Sequence, residues 1–323
     1  METVELRPLS LGELLDRTFT LYRGHFWLFV SIMAIPSAFS IPFNVLILSL
    51  QGSSMNAMTA PGRPPALPSP GLVAEVGLGY FVFFFIFLTV YSIAVAAAVS
   101  AVADVYLGRS ATVRGSYGRI RGRFWRLIGV VMSIALRILG VMLLVLGAGF
   151  GGVVGIGLLG ARGITVLAVL LAFVLLFAYL AGLVFCVYFA LRYAVSIPIL
   201  MIENLGVSDT IRRSVALTRG RRGHIFLTLL VAVVIGYVGV VVFQGPFLVA
   251  TMVAAVRGHW PPWLAFASSA SGAIGGALTG PISMIAIVLL YYDARIRKEA
   301  FDLQFMMASL DNSAPADRTV SPA

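Results

Sequence analysis

The chain of 323 residues is 60% hydrophobic and 11% charged, with a mean hydropathy of +0.99 and a formal net charge of +10. Soluble globular domains carry about 25% charged residues, so a soluble all-α core is excluded. The positive charge is almost all arginine, with Lys298 the only lysine, and it lies beside long apolar runs. That placement points to membrane orientation and anionic headgroups, and away from nucleic acid as a partner.

In chain order, no apolar core precedes Arg17, so no cleavable leader is expected. A Ser-started amphipathic stretch from Ser10 comes first, with Glu13 three residues on in a capping-box pattern. Span one follows over 26–50 and contains Pro36, Pro42 and Asn44. The Pro- and Ser-rich stretch from Gln51 to Pro70 reads as an external loop. Span two covers 76–102. A second amphipathic stretch starts at Ser110, and span three covers 127–150, dissolving into a glycine-rich tail around Gly147 to Gly160. Span four covers 165–191, with an apolar extension through Pro198 to Ile202. A third amphipathic stretch starts at Ser208. Span five covers 225–256 and is broken by Gly245-Pro246; span six covers 263–292. The tail 312–323 is polar and expected to be disordered.

Each run meets the ~20 apolar residues that a spanning helix needs. A bilayer core accepts only helices or closed barrels, and these runs lack the alternating polarity of barrel strands. The expected fold is an all-α integral membrane protein with six transmembrane helices. Arg7, Arg17, Arg23, the cluster from Arg109 to Arg126, that from Arg212 to Arg222, and Arg295, Arg297 and Lys298 fall on one side. The other side has Arg63, Arg162 and Arg257. Positive charge stays inside, so both termini are expected in the cytoplasm of a bacterial inner membrane.

Gly24-His25-Phe26-Trp27, Gly122-Arg123-Phe124-Trp125 and Gly220-Arg221-Arg222-Gly223 begin 98 residues apart each time. They imply three repeats of an interfacial amphipathic helix plus a two-helix hairpin, over 8–107, 108–205 and 206–311. In register, Leu15, Val113 and Ile211 share a position. Phe19, Tyr117 and Val215 lie four residues on, and Tyr22, Ile120 and Thr218 three further, which puts them on one helical face. Ser10, Ser110 and Ser208 are the expected caps, and the glycine is expected to end each helix.

Two sets of polar residues are candidates for function. Arg17, Arg23, Arg121, Arg123, Arg213 and Arg219 lie on the interfacial stretches. They either brace the hairpins or ring an opening that binds an anionic headgroup or ligand, since guanidinium forks suit phosphate. Arg137, about 16 Å beyond Arg126 along a helix, falls near mid-membrane. Asp104, Glu203 and Asp293, which close spans two, four and six, are its candidate partners. Gly272, Gly276 and Gly280 recur every four residues in span six, as Gly147, Gly151 and Gly155 do in span three. Both stripes suit close helix packing, within the chain or between subunits.

No catalytic constellation and no metal or cofactor motif is present, and the single cysteine, Cys186, lies in an apolar run. Leu6-Arg7-Pro8-Leu9-Ser10-Leu11-Gly12-Glu13-Leu14-Leu15-Asp16, Ile202-Glu203-Asn204-Leu205-Gly206 with Arg213-Ser214, and Tyr291-Tyr292-Asp293-Ala294-Arg295 resemble one bacterial family. It is the membrane domain associated with glycerophosphoryl diester phosphodiesterases, together with related membrane proteins. The soluble catalytic barrel of those enzymes has no counterpart among these residues. The resemblance therefore implies a membrane context, and a link to phospholipid metabolism, rather than hydrolysis. The expected function is a non-enzymatic scaffold, anchor or lipid-interacting protein, with anionic lipids and another membrane or peripheral protein as partners. The alternative is a transporter or channel for an anionic small molecule or lipid.

Overall fold

The computed structural model describes residues 9–58, 70–106, 108–257 and 261–299. The expected disordered tail and residues 59–69 of the expected loop lie outside the described residues. The described residues form helices without strands. Their order is α1 (Leu11–Gly24), α2 (Phe26–Met58), α3 (Pro70–Tyr106), α4 (Val113–Gly118), α5 (Phe124–Ala161), α6 (Thr165–Arg192), α7 (Ser196–Glu203), α8 (Val207–Thr218), α9 (Arg222–Val256) and α10 (Pro262–Glu299).

Six of these are long and apolar enough to cross a bilayer, in the six expected places. Three boundaries differ from expectation. The glycine-rich end of span three stays helical to Ala161, and α9 runs unbroken through Gly245-Pro246. Residues 51–58 extend α2 rather than joining a loop. In a bilayer an unpaired amide has no water to bond, so helix persists where a soluble chain would break. The apolar extension of span four is a separate helix, α7, which ends at Asn204 in the left-handed conformation, φ 56°. The short polar side chain of asparagine tolerates that cap.

The interfacial elements vary in length with their glycine content. α1 carries the complete Ser10–Glu13 capping box. α4 has only 6 residues, because Gly115 and Gly118 weaken it, and Thr112 rather than Ser110 caps it. α8 starts from Gly206, which puts Ser208 inside the helix. Of the three glycines expected to turn the chain, only Gly220 uses the left-handed region, at φ 84°. At Gly24 the chain passes almost directly from α1 to α2 through His25.

α10 is the centre of the bundle and packs along α9 and α2. In α10 61% of the spanning window is buried, against 11% in α6. The α5–α6 hairpin packs chiefly on itself and otherwise presents bare apolar side chains such as Phe177, Val184 and Leu144. Its close approaches are at Gly152 and Gly155, which face Leu175 and Leu171, while Gly147 and Gly151 face open space. In α10 the expected stripe splits between two neighbours. Gly272 faces Gln244 of α9, whereas Gly276 and Gly280 face Ser37 and Met33 of α2. The tightest backbone approach is at Gly275, where an added Cβ would lie 3.0 Å from Cα of Val240.

Candidate functional site

The interfacial helices pack in a cyclic order. α4 lies against α3, α8 against α7, and α1 against α10. Each thus rests on the second span of the hairpin before it in sequence, with the first helix resting on the last span. Trp27 and Trp125, exposed at the starts of α2 and α5, mark headgroup depth beside them.

The acids that end these spans form the joints. Asp104 of α3 accepts Arg119, just past α4, at 2.7 Å. Glu203 of α7 accepts Arg213 Nε of α8 at 3.1 Å and the Tyr291 hydroxyl at 2.9 Å. Arg213 also reaches Glu299 at 2.5 Å. Burial opposes the charge on Arg213, but bonding and attraction from Glu203 and then Glu299 outweigh it and raise its pKa. Asp293 of α10 accepts the backbone N–H of Leu9 and Arg297 Nε, both at 2.9 Å, and Arg221 at 2.7 Å. Asp293 is 1% exposed, so these three donors replace its hydration. Arg297 also donates to the Leu9 carbonyl. The last span therefore holds the chain just ahead of the first helix.

The same helices place hydroxyls on interrupted backbones. Pro36 has no N–H, so the carbonyl of Ile32 lacks its helical donor, and the Tyr117 hydroxyl of α4 bonds it at 2.8 Å. Burial pushes the Tyr117 pKa up to about 12, which keeps it a donor. The Tyr22 hydroxyl of α1 also bonds the backbone of α10, at the carbonyl of Leu278. Ser214 and Thr218 of α8 bond the Arg192 carbonyl, freed where α6 ends, at 3.0 and 3.3 Å.

Of the six interfacial arginines expected to meet an anion, three are used internally. Arg17 donates to the Tyr106 hydroxyl at 3.0 Å, and Arg123 to Asn204 and the Met201 carbonyl at 2.9 and 2.7 Å. Arg213 bridges Glu203 and Glu299. Arg23, Arg121 and Arg219, which share one register position, are exposed. The three acids are brought to one end of the bundle but pair with Arg119, Arg213, Arg221 and Arg297. Arg137 instead lies over the Tyr193 ring, 5.7 Å from its centroid. Its expected depth took Arg126 as the surface, yet α5 has 38 residues, about 57 Å at about 1.5 Å each, against about 30 Å of hydrocarbon. Measured from the α5–α6 turn, Arg137 lies about 36 Å along the helix.

A cleft of about 360 Å³ opens between α2, α3, α9 and α10, lined by residues such as Ser37, Tyr91, Tyr237 and Thr279. Among the described residues no charged side chain lines it. Its hydroxyls turn back to helix carbonyls, Thr279 to Gly275 and Gly236, Ser283 to Gly280 and Ser40 to Ser37. Among the described residues no cluster of His, Cys, Asp and Glu suits a metal ion.

These features define a multi-pass α-helical membrane protein. Residues 172–309 match the family model described as the membrane domain of glycerophosphoryl diester phosphodiesterase. The matched segment holds Glu203, Arg213, Tyr291, Asp293 and Arg295, so the joints at α7 and α10 lie inside it. No curated protein and no solved structure matches the chain.

Proposed function

We propose that this protein is a non-enzymatic scaffold or anchor of a bacterial inner membrane that interacts with anionic lipids. Its basic end and both termini face the cytoplasm, where positive charge is retained. Three hairpin units, closed by the cyclic packing of α1, α4 and α8, form its frame. One observation carries the reading. The span-end acids that would line a polar path are committed at one end of the bundle to clasping interfacial segments. The cleft between the spans is free of charge, which suits packing or acyl chains better than an anion. The match to a membrane domain, with glycerophosphoryl diester phosphodiesterase as its named context, supports a role beside lipid metabolism.

Reconstitution into sealed vesicles tests this reading. Leakage of chloride, inorganic phosphate and glycerol 3-phosphate is expected to equal that of protein-free vesicles. Flux abolished by Arg137→Leu would establish the transporter reading instead.

A further inference from the structure

At the end of the α5–α6 hairpin lies a second set of arginines that the joints do not use. Arg137 of α5 and Arg192 of α6 both lie over the Tyr193 ring, 5.7 and 5.9 Å from its centroid. Arg222, the first residue of α9, lies 4.7 Å from the Tyr188 centroid. Tyr188 and Tyr193 are joined through Phe189, with centroid separations of 5.7 and 6.0 Å. The three guanidinium groups therefore sit along one aromatic strip where α6 meets the start of α9.

Among the described residues none of the three has an ion pair. The span-end acids are engaged elsewhere, Asp104 with Arg119, Glu203 and Glu299 with Arg213 and Arg295, and Asp293 with Arg221 and Arg297. The Nε atoms of Arg192 and Arg222 are buried and bond to no described residue. Two cations sharing one ring repel each other, and buried donors without acceptors are costly; an anion relieves both. Away from the arginines, toward the spans, α6 and α9 present exposed apolar side chains, including Val184 and Leu183 on α6 and Leu227 and Leu230 on α9. A free phosphate would leave that surface bare. A phospholipid would fill the arginine site with its phosphate and cover the surface with its chains.

We infer that Arg137, Arg192 and Arg222, with Tyr188 and Tyr193, form a binding site for the phosphate of one anionic phospholipid between α6 and α9. This names the lipid contact of the scaffold proposed above and rests on that reading. The site differs from the exposed Arg23, Arg121 and Arg219, none of which, among the described residues, has its guanidinium over a ring or a buried Nε.

The test is native mass spectrometry of the full chain in neutral detergent, titrated with phosphatidylglycerol, phosphatidylcholine or inorganic phosphate. One phosphatidylglycerol per chain is expected to be retained, in preference to phosphatidylcholine. The triple variant Arg137→Gln, Arg192→Gln, Arg222→Gln is expected to lose at least about tenfold in retention, as three surface cations imply. The triple Arg23→Gln, Arg121→Gln, Arg219→Gln should retain lipid as the parent does. If the first triple fails to fold, single Arg222→Gln carries the same test, since its guanidinium loses no hydrogen bond to a described residue. Equal retention by parent and variant overturns the site, and inorganic phosphate displacing the lipid overturns its assignment to phospholipid. Anion flux through vesicles would overturn the scaffold reading while leaving lipid retention unchanged, so the two failures are told apart.

Discussion

Tyr117 donates its hydroxyl, at 2.8 Å, to the carbonyl of Ile32 that Pro36 leaves without a helical donor. A proline in the first span and a tyrosine 81 positions later thus solve one hydrogen-bond problem together. The proline introduces an interruption within the membrane region, and the following interfacial helix satisfies it. Ser214 and Thr218, on the Arg192 carbonyl where α6 ends, make the same kind of contact at α8, and Tyr22 of α1 bonds the backbone of α10 at Leu278.

Tyr117→Phe should lower thermal stability by about 1–3 kcal/mol, the cost of one buried acceptor left unpaired. In a Pro36→Ala background residue 36 regains its N–H, so the same change should cost clearly less. Thermal unfolding of the four proteins in one detergent reads the coupling directly. Equal costs in both backgrounds would sever the two residues.

The three acidic joints are unequal. Asp293→Asn leaves Arg221 and Arg297 without their carboxylate and weakens the hold on Leu9, so a loss of about 3–5 kcal/mol is expected. Asp104→Asn frees only Arg119, which is 47% exposed, and should cost about 1 kcal/mol or less. Melting temperatures should fall in that order. The reverse order would remove Asp293 from its place as the main joint.

Glycines of α10 should also separate. Gly275→Ala forces a Cβ to 3.0 Å from the Val240 backbone and is expected to cost about 1–3 kcal/mol. Gly276→Ala meets only Ser37 Oγ at 3.6 Å and should be neutral, or stabilising by up to about 1 kcal/mol through helix propensity. Comparing folded yield and melting of the two variants decides the point.

Sidedness follows from the exposed register position. In a Cys186→Ser chain, Arg23→Cys, Arg121→Cys and Arg219→Cys should react with a membrane-impermeant maleimide only from the cytoplasmic side. Arg162→Cys, in the α5–α6 turn, should react only from the opposite side. Mixed labelling within the first three would break the proposed topology.

The spans and their turns were legible in the sequence because hydropathy and arginine placement report solvent class, and a bilayer leaves helix as the sole answer. Helix ends were less so. α5 continued through Gly147 to Gly160 because lipid offers no competing partner, and glycine lost its breaking power there. The acids recur legibly as span-end residues, and position makes them candidate partners of Arg137, yet they pair with arginines of the interfacial segments and of α10. Sequence distance along one helix does not reveal that α5 outruns the bilayer. The register places Tyr22, Tyr117 and Thr218 on one helical face. The hydroxyls of Tyr117 and Thr218, set against a proline and a helix end elsewhere in the chain, are the available signal. The register of Gly275 against Val240 depends on the rotation of two helices about their axes, which spacing alone leaves open.

The central claim is a chain closed on itself, with the first span held against the last. Oxidative cross-linking of Ser37→Cys with Gly276→Cys, in a Cys186→Ser chain and in its own membrane, tests it most directly. The account predicts efficient formation of a disulfide within one chain, read as a linked peptide pair at monomer mass, because Gly276 faces Ser37 at van der Waals distance. No link, or a link found only between two chains, would contradict it.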